Sequence, residues 1–356
     1  MKTILFILPD LNQGGAEKVI SILANELDRN LFRPKIVLFE KKGYFLNDLK
    51  NDVGIIDLKV KRIRFSIFKL IPLIFKLKPE IVFVGWGEIS AFLSPFIPLF
   101  PKTKFIARET NIVSEHVKKK EIRFFYKFYK NYHRIIAQSD DMKNDLLLNL
   151  KISSEKIVKI NNPVDFELIE KRMHSNLNET QIFDKNFKNI VAIGSLNHRK
   201  GFDLLLGVFS HLKENKIKLW IIGDGPEKKN LENQKAKLAL KNIEFSGQKE
   251  NPYHYLKQAD LFVLPSRYEG FPNVLLEAGA CGTYALANDC PGGIREIIEP
   301  RINGEIADIS DEQFFAEQIR ILADKNYDEE MISDSIRQRF SKEIIVRQYD
   351  KFLSEL

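Results

Sequence analysis

The stretch LPSRYEGFPNVLLEAGACG at positions 264–282 restricts the fold more than any other part of this chain. It starts at the end of an apolar run, Leu261-Phe262-Val263-Leu264, with the length and composition of a buried strand. Pro265 stops that strand, and residues 266–271 form a loop. Pro272 and Asn273 open a helix that carries Val274, Leu275, Leu276, Ala278 and Ala280, and Gly282 ends it. Strand, short loop and helix in this order put free backbone N–H groups and a positive helix end at the carboxyl edge of a sheet, where diphosphates bind. Two carboxylates frame the turn: Glu269 in the loop, and Glu277 one helical turn past Asn273 on the same face. A carboxylate accepts two hydrogen bonds side by side, which suits the vicinal hydroxyls of a ribose or a hexose. The stretch describes a pocket for a nucleotide sugar.

Two Glu eight positions apart are a weak signal alone, because surface helices are rich in Glu. A solvated Glu on a helix face is the bland alternative, and the small, apolar residues around Glu277 argue against it. With Pro265-Ser266, Glu269-Gly270-Phe271-Pro272-Asn273 and the small-residue helix around it, the spacing resembles the E-x7-E signature of the retaining glycosyltransferases of family 4. That large GT-B family includes bacterial polysaccharide, lipopolysaccharide and mannolipid transferases. The resemblance implies an α/β fold of two Rossmann-like domains facing each other across a cleft, acting on a nucleotide sugar without a metal or other cofactor.

At 356 residues the chain holds two domains of ordinary size, and 44% hydrophobic with 29% charged residues marks a globular protein. The apolar start, Ile4 to Leu8, meets Pro9 and Asp10 at once, so it reads as a first strand and not as a secretory signal. The most apolar run, residues 89–100, is too short to span a membrane and contains Pro95 and Pro98. Cys281 and Cys290 require neither a disulfide nor a metal. A cytoplasmic location is expected. The net charge of +7 attracts something acidic: nucleic acid, anionic lipid or sugar phosphates.

In the first half, Thr3 to Leu8 is a strand, Asn12-Gln13-Gly14-Gly15 a glycine turn, and residues 16–27 a helix. Gly14 and Gly15 let a phosphate or sugar approach the backbone closely, although a plain tight turn explains them equally well. The G-x-G-x-x-G dinucleotide fingerprint is absent. Residues 61–78, KRIRFSIFKLIPLIFKLK, are basic and amphipathic, a pattern that suits either an anionic membrane or packing on the sheet. A second basic-aromatic cluster, residues 118–134, favours a lipid-linked acceptor and peripheral attachment to the inner face of the plasma membrane. RNA is the rival for such surfaces, and no nucleic-acid module accompanies them, so no nucleic-acid partner is expected. Glu109 follows the strand Phe105-Ile106-Ala107, where many relatives carry a His that touches the transferred sugar. A contact to a sugar hydroxyl is expected of Glu109, with His116 the weaker substitute. Ser139 reads as a helix N-cap.

Asn161-Asn162-Pro163-Val164-Asp165 resembles the family's interdomain crossing, and the Asn-rich residues 176–189 follow it. The expected domains are therefore 1–165 for the acceptor, 166–340 for the nucleotide sugar, and a helix at 341–356 that returns to the first domain. The second half repeats the alternation: Ile190 to Gly194 is a strand, and Ser195 to Gly201 is its loop. A lysine there offsets the charge of a departing diphosphate. Relatives usually carry G-R-L-x-x-x-K-G; here Lys200 matches, Ser195 replaces the Arg, and Arg199 supplies the missing charge. Gly223 and Gly247 end two further strands and complete the donor-binding set of Gly14, Gly15, Gly194, Ser195, Gly270, Phe271, Pro272, Asn273, Val274 and Glu277. Gly292 and Gly293 add another close approach.

The expected function is transfer of a hexose or N-acetylhexosamine from a nucleotide sugar, uridine-linked by expectation, to a lipid-linked or saccharide acceptor. The expected catalytic residues are Lys200, Glu269, Arg199 and Glu109. A sugar-nucleotide epimerase and a degenerate sugar-nucleotide-binding protein remain as alternatives.

Overall fold

The computed structural model describes residues 1–61, 63–173, 182–213 and 216–356. Arg62, the Arg64 side chain and residues 176–181 of the Asn-rich stretch lie outside the described residues. The chain divides into two compact units. The first comprises Met1–Pro163 with Lys342–Leu356, and the second Val164–Ser341.

The first unit is built on β1 (Lys2–Leu8), β2 (Phe32–Leu38), β3 (Gly54–Asp57), β4 (Ile81–Val84), β5 (Lys104–Arg108), β6 (Arg134–Ala137) and β7 (Ile157–Lys159). They pair in the order β3-β2-β1-β4-β5-β6-β7, every neighbouring pair parallel. A parallel sheet is covered on both faces, so its strands are continuous apolar runs. β1 shows this: Ile4, Leu5, Phe6, Ile7 and Leu8 are all fully buried. The helix Gly15–Glu26 covers one face with Val19, Ile20 and Leu23. The helix Ile63–Leu77 buries Ile67, Leu70 and Ile74 while Phe65, Phe68 and Phe75 stay exposed. The packing side and the exposed phenylalanines thus share one helix.

The C-terminal helix Lys342–Ser354 belongs to the first unit. Tyr349 is fully buried with its ring 6.1 Å from that of Phe83, and the Asp28 backbone N–H donates to Asp350 at 3.0 Å.

The second unit is built on β8 (Lys188–Ile193), β9 (Ile217–Ile222), β10 (Ile243–Gly247), β11 (Leu261–Leu264), β12 (Ala285–Asn288) and β13 (Gly304–Ala307). Their order is β10-β9-β8-β11-β12-β13, again all parallel. From β8 the chain builds outward to one side, and it resumes at β11 on the other. Ligands of doubly wound sheets bind at the carboxyl ends of the strands flanking this reversal. In the second unit those strands are β8 and β11. In the first they are β1 and β4.

Candidate active site

After β8 the chain runs through Gly194 and Ser195 into a 3₁₀ turn, His198–Lys200. Asn197 caps it by accepting from the Lys200 backbone N–H at 3.3 Å. Gly201 follows with φ +67°, where a Cβ would stand 2.0 Å from the Pro265 carbonyl oxygen. Only glycine lets the two loops meet there. Gly223 makes a second such approach: with φ +147°, its Cβ would fall 2.0 Å from the Gly194 oxygen. Its N–H donates to Gly247, so Gly194, Gly223 and Gly247 lie at adjacent strand ends.

Where the two loops meet, three charges converge. The Glu269 Oε1 accepts from Lys200 Nζ at 2.5 Å and from the buried Ser266 hydroxyl at 2.6 Å, while Oε2 accepts from Arg199 Nη1. Glu269 is 4% exposed. Burial alone would raise its pKa, but the charges and hydrogen bonds of Lys200, Arg199 and Ser266 outweigh it and hold the carboxyl at about 2. Burial pushes Lys200 down, against the pull of Glu269. The triad carries a net positive charge at neutral pH. The Tyr268 ring lies 5.9 Å from the Arg199 guanidinium. Nearby, burial together with the charges of Glu269 and Asp289 pushes Cys290 up to about 12, which leaves no thiolate for chemistry.

The helix after the loop spans Asn273–Ala280, with Pro272 at its N-cap position. Phe271 is buried with its ring against Phe340 (5.5 Å between centroids). Val274 and Glu277 are half-buried on this helix. The turn that holds Gly270 is fixed from outside: Glu269 N–H donates to the Pro291 oxygen at 2.9 Å, and Gly293 N–H to the Gly270 oxygen at 2.8 Å.

In the first unit, Gly14 is the N-cap of the helix Gly15–Glu26, and Glu17 folds back over it: a Cβ at Gly14 would fall 2.2 Å from Glu17 Oε2. Burial pushes Glu17 up to about 7, with Asp10 adding to the rise and Arg108 opposing it. Glu109 is buried behind the β4 loop, where a Cβ at Gly87 would lie 2.9 Å from its Oε2. Tyr129 donates to Oε1, Tyr126 donates to Oε2 at 3.5 Å, and Gln138 bonds the Glu109 carbonyl. Burial pushes Glu109 up to about 7 despite the two tyrosine hydroxyls. His116 sits on a short helix, Val113–His116, and is exposed.

The raised carboxyl predicts a pH dependence. Glu109 binds its proton more tightly folded than unfolded, so its contribution to stability is full below about pH 4.5 and is lost as pH rises through about 7. The loss is on the order of 3 kcal/mol. Glu109→Gln keeps the shape and does not titrate. The stability gap between wild type and variant is therefore expected to shift in the variant's favour between pH 5 and 8, measured by urea denaturation. A gap independent of pH contradicts this.

The structure brings Lys200, Arg199 and Glu269 together, with Gly194 beside the Lys200 stem, Gly223 against Gly194, Gly247 at the next strand end, and the Gly270–Val274 segment directly following Glu269 in the chain. Gly14, Gly15 and Glu109 belong to the other unit. Sequence reasoning gave no role to Ser266, Glu17, Tyr126 or Tyr129. The basic-aromatic residues 118–134 do not all face solvent: Tyr126, Tyr129 and Tyr132 are buried, with Tyr126 and Tyr129 stacked 4.3 Å apart. Their spacing of three was the missed signal, because residues three apart share a face in a 3₁₀ turn. Among the described residues, no group of three His, Cys, Asp or Glu is placed to hold a metal ion. No helix among them is long and apolar enough to cross a membrane.

Comparison with known proteins bears on the family and the fold. The family described as Glycosyltransferase Family 4 matches residues 13–168, and that described as Glycosyl transferases group 1 matches residues 175–339. The chain belongs to the family 4 glycosyltransferases. It is 29% identical to an uncharacterized glycosyltransferase of Methanocaldococcus jannaschii, over 80% of this chain and 72% of that one. It is 25% identical, over 100% of this chain and 99% of the relative, to a Campylobacter jejuni enzyme named as an alpha-1,4-N-acetyl-D-galactosaminyltransferase acting on a diphospho-undecaprenol-linked saccharide. Among solved structures, Anabaena HepE in complex with UDP-glucose superposes with a TM-score of 0.84 at 18% identity, each chain covered completely. The fold is GT-B, and the chain is a glycosyltransferase.

Proposed function

We propose that this enzyme moves a hexose or N-acetylhexosamine from a uridine-linked nucleotide sugar to a lipid-linked or saccharide acceptor, with retention of anomeric configuration, in building a bacterial surface glycan. The observation that carries the reading is the triad at the β8–β11 reversal: two cations held by one buried, ionised carboxylate. A diphosphate is the ligand whose charge such a site complements. The donor diphosphate lies on Lys200, Arg199 and the N-terminal turn of the helix Asn273–Ala280, and the ribose on Glu277. The hexose rests on the backbone of Gly270, Phe271 and Pro272. Glu269 Oε2 takes one hydrogen bond among the described residues and keeps a lone pair for a sugar hydroxyl. The UDP complexes of HepE support a uridine donor, and the Campylobacter relative supports a lipid-linked acceptor.

As the bond from the anomeric carbon to the diphosphate oxygen breaks, negative charge grows on that oxygen and Lys200 and Arg199 stabilise it. The acceptor oxygen bonds to the same carbon on the same face, and its proton passes to the departing diphosphate. Arg199 supplies the charge that Ser195 lacks. The test is to incubate the enzyme with α-linked uridine-diphosphate sugars and a prenyl-diphosphate-linked saccharide and determine the product anomer by NMR. An α-linked product supports the reading; a β-linked product, or sugar conversion without acceptor, contradicts it.

Glu277→Ala is expected to weaken binding of UDP by about 10- to 100-fold, as loss of a charge-assisted ribose contact does. An unchanged dissociation constant in calorimetry places the ribose elsewhere.

In this reading the acceptor falls to the first unit, and its lipid is met by an apolar and basic surface. Phe68 is 76% exposed, and Phe65, Phe75, Leu99 and Phe124 are about half exposed. Lys76, Lys78, Lys119, Lys120, Arg123 and Lys127 are exposed on the same segments. The protein is expected to float with anionic vesicles, and Phe68→Glu to weaken that association by about tenfold. Protein that stays unbound removes the membrane from the account.

A further inference from the structure

Arg267 stands in the loop after β11, two residues before Glu269. Its guanidinium forms a two-pronged pair with Asp203, Nη1 to Oδ1 at 2.7 Å and Nη2 to Oδ2 at 2.6 Å. The same Nη1 donates to the His198 carbonyl at 2.7 Å. The Arg267 backbone N–H donates to the Arg199 carbonyl at 2.8 Å. His198–Lys200 is the 3₁₀ turn that carries both cations, and Asp203 lies in the first turn of the helix Phe202–Phe209 that follows. One residue therefore grips that turn at its start, at its centre and just beyond its end.

Besides this grip the turn is held by its Asn197 cap and by the bonds of its two cations to Glu269. Three residues of 3₁₀ helix have poor hydrogen-bond geometry, and Arg199 and Lys200 have long, flexible stems. Both side chains of the Arg267–Asp203 pair are partly exposed, so the pair adds little to stability by itself. Its effect is on direction. A planar fork that bonds two acceptors fixes orientation as a point charge does not.

We propose that Arg267 and Asp203 are positioning residues, whose pair fixes the His198–Lys200 turn so that both cations converge on Glu269. In the enzyme they thereby preorganise the charge that meets the donor diphosphate, a consequence that rests on the reading of the second unit as the donor site. Lysine at position 267 keeps the charge but, with a single nitrogen, cannot form the planar two-pronged pair with Asp203.

The test reads Lys200 directly, without a ligand. The intact protein is labelled with limiting acetic anhydride, and acetylation of each lysine is followed by peptide mass spectrometry. Wild type, Arg267→Ala, Arg267→Lys and Asp203→Asn are compared. Lys200 in the wild type is expected to label slowly. In Arg267→Ala and Asp203→Asn its rate relative to the remaining lysines is expected to rise by about tenfold, the equilibrium equivalent of losing one charge-assisted contact. Arg267→Lys is expected to fall between. A relative Lys200 rate equal to wild type in all the folded variants overturns the proposal, even if their melting points fall. Should Arg267→Ala unfold, Asp203→Asn preserves the shape and supplies the same comparison. A parallel titration with UDP and with uridine separates the two claims. Wild-type protein that binds neither contradicts the donor-site reading, while the labelling still decides the positioning. Where wild type prefers UDP, a smaller preference in the variants supports the link to the diphosphate, and an unchanged preference overturns that link.

Discussion

Replacing Lys200 by alanine is expected to lower kcat for sugar transfer by about 10²–10³-fold, the loss that follows removal of one preorganised charge at a developing anion. Lys200 is nearly buried beside Glu269, where Coulomb attraction is screened less than at the surface. The diphosphate gains charge as the glycosidic bond breaks, so the lysine interacts more strongly with the transition state than with the bound donor. The effect should therefore fall on kcat more than on the KM for the donor. Arg199 remains in the variant and keeps Glu269 paired, which limits damage to the fold. Initial rates against donor concentration, with acceptor saturating, check this. A kcat within about threefold of wild type means that the leaving group is stabilised elsewhere.

The second large effect is on stability. Glu269→Ala removes the carboxylate that pairs with two largely buried cations and leaves the Ser266 hydroxyl without its acceptor. Breaking a buried pair from one side costs about 3–5 kcal/mol. The same carboxylate sets an acid limit. Its folded pKa of about 2 lies below the ordinary value of 4.5, so its stabilisation is present above about pH 4.5 and is lost as pH falls towards 2. The part that titrates is about 3 kcal/mol. Trp86 lies in the first unit and Trp220 in the second, so a Trp86→Phe background makes fluorescence report on the second unit alone. Urea midpoints between pH 2 and 7 should fall steeply below pH 4.5 with Glu269 present and much less in Glu269→Ala. Parallel curves contradict the triad.

The second unit was largely legible from its sequence because its informative residues are local. Residues 261–282 hold a strand, a proline stop, a loop and a helix start, each with its own chemistry, and the observed bounds, Leu261–Leu264 and Asn273–Ala280, fall where that chemistry puts them. The partners of Glu269 were not legible in this way. Arg199 and Lys200 lie 70 and 69 positions away, and only the pairing of β8 with β11 brings them together. Arg199 could be named as the substitute for the Arg that Ser195 replaces, but its contact with Glu269 could not be read from the sequence. Glu109 shows the opposite failure. Its position at the end of β5 suggested a residue facing the ligand, but the tyrosines of a 3₁₀ turn some 20 positions later take up both its oxygens.

The most direct test of the account is calorimetric titration of UDP, GDP and ADP into the purified enzyme, with Glu277→Ala alongside. The account predicts that UDP binds, that GDP and ADP bind more weakly, and that the variant loses about 10- to 100-fold in UDP affinity. Absence of binding by any of the three, or UDP binding untouched by the variant, contradicts the donor site described for the second unit.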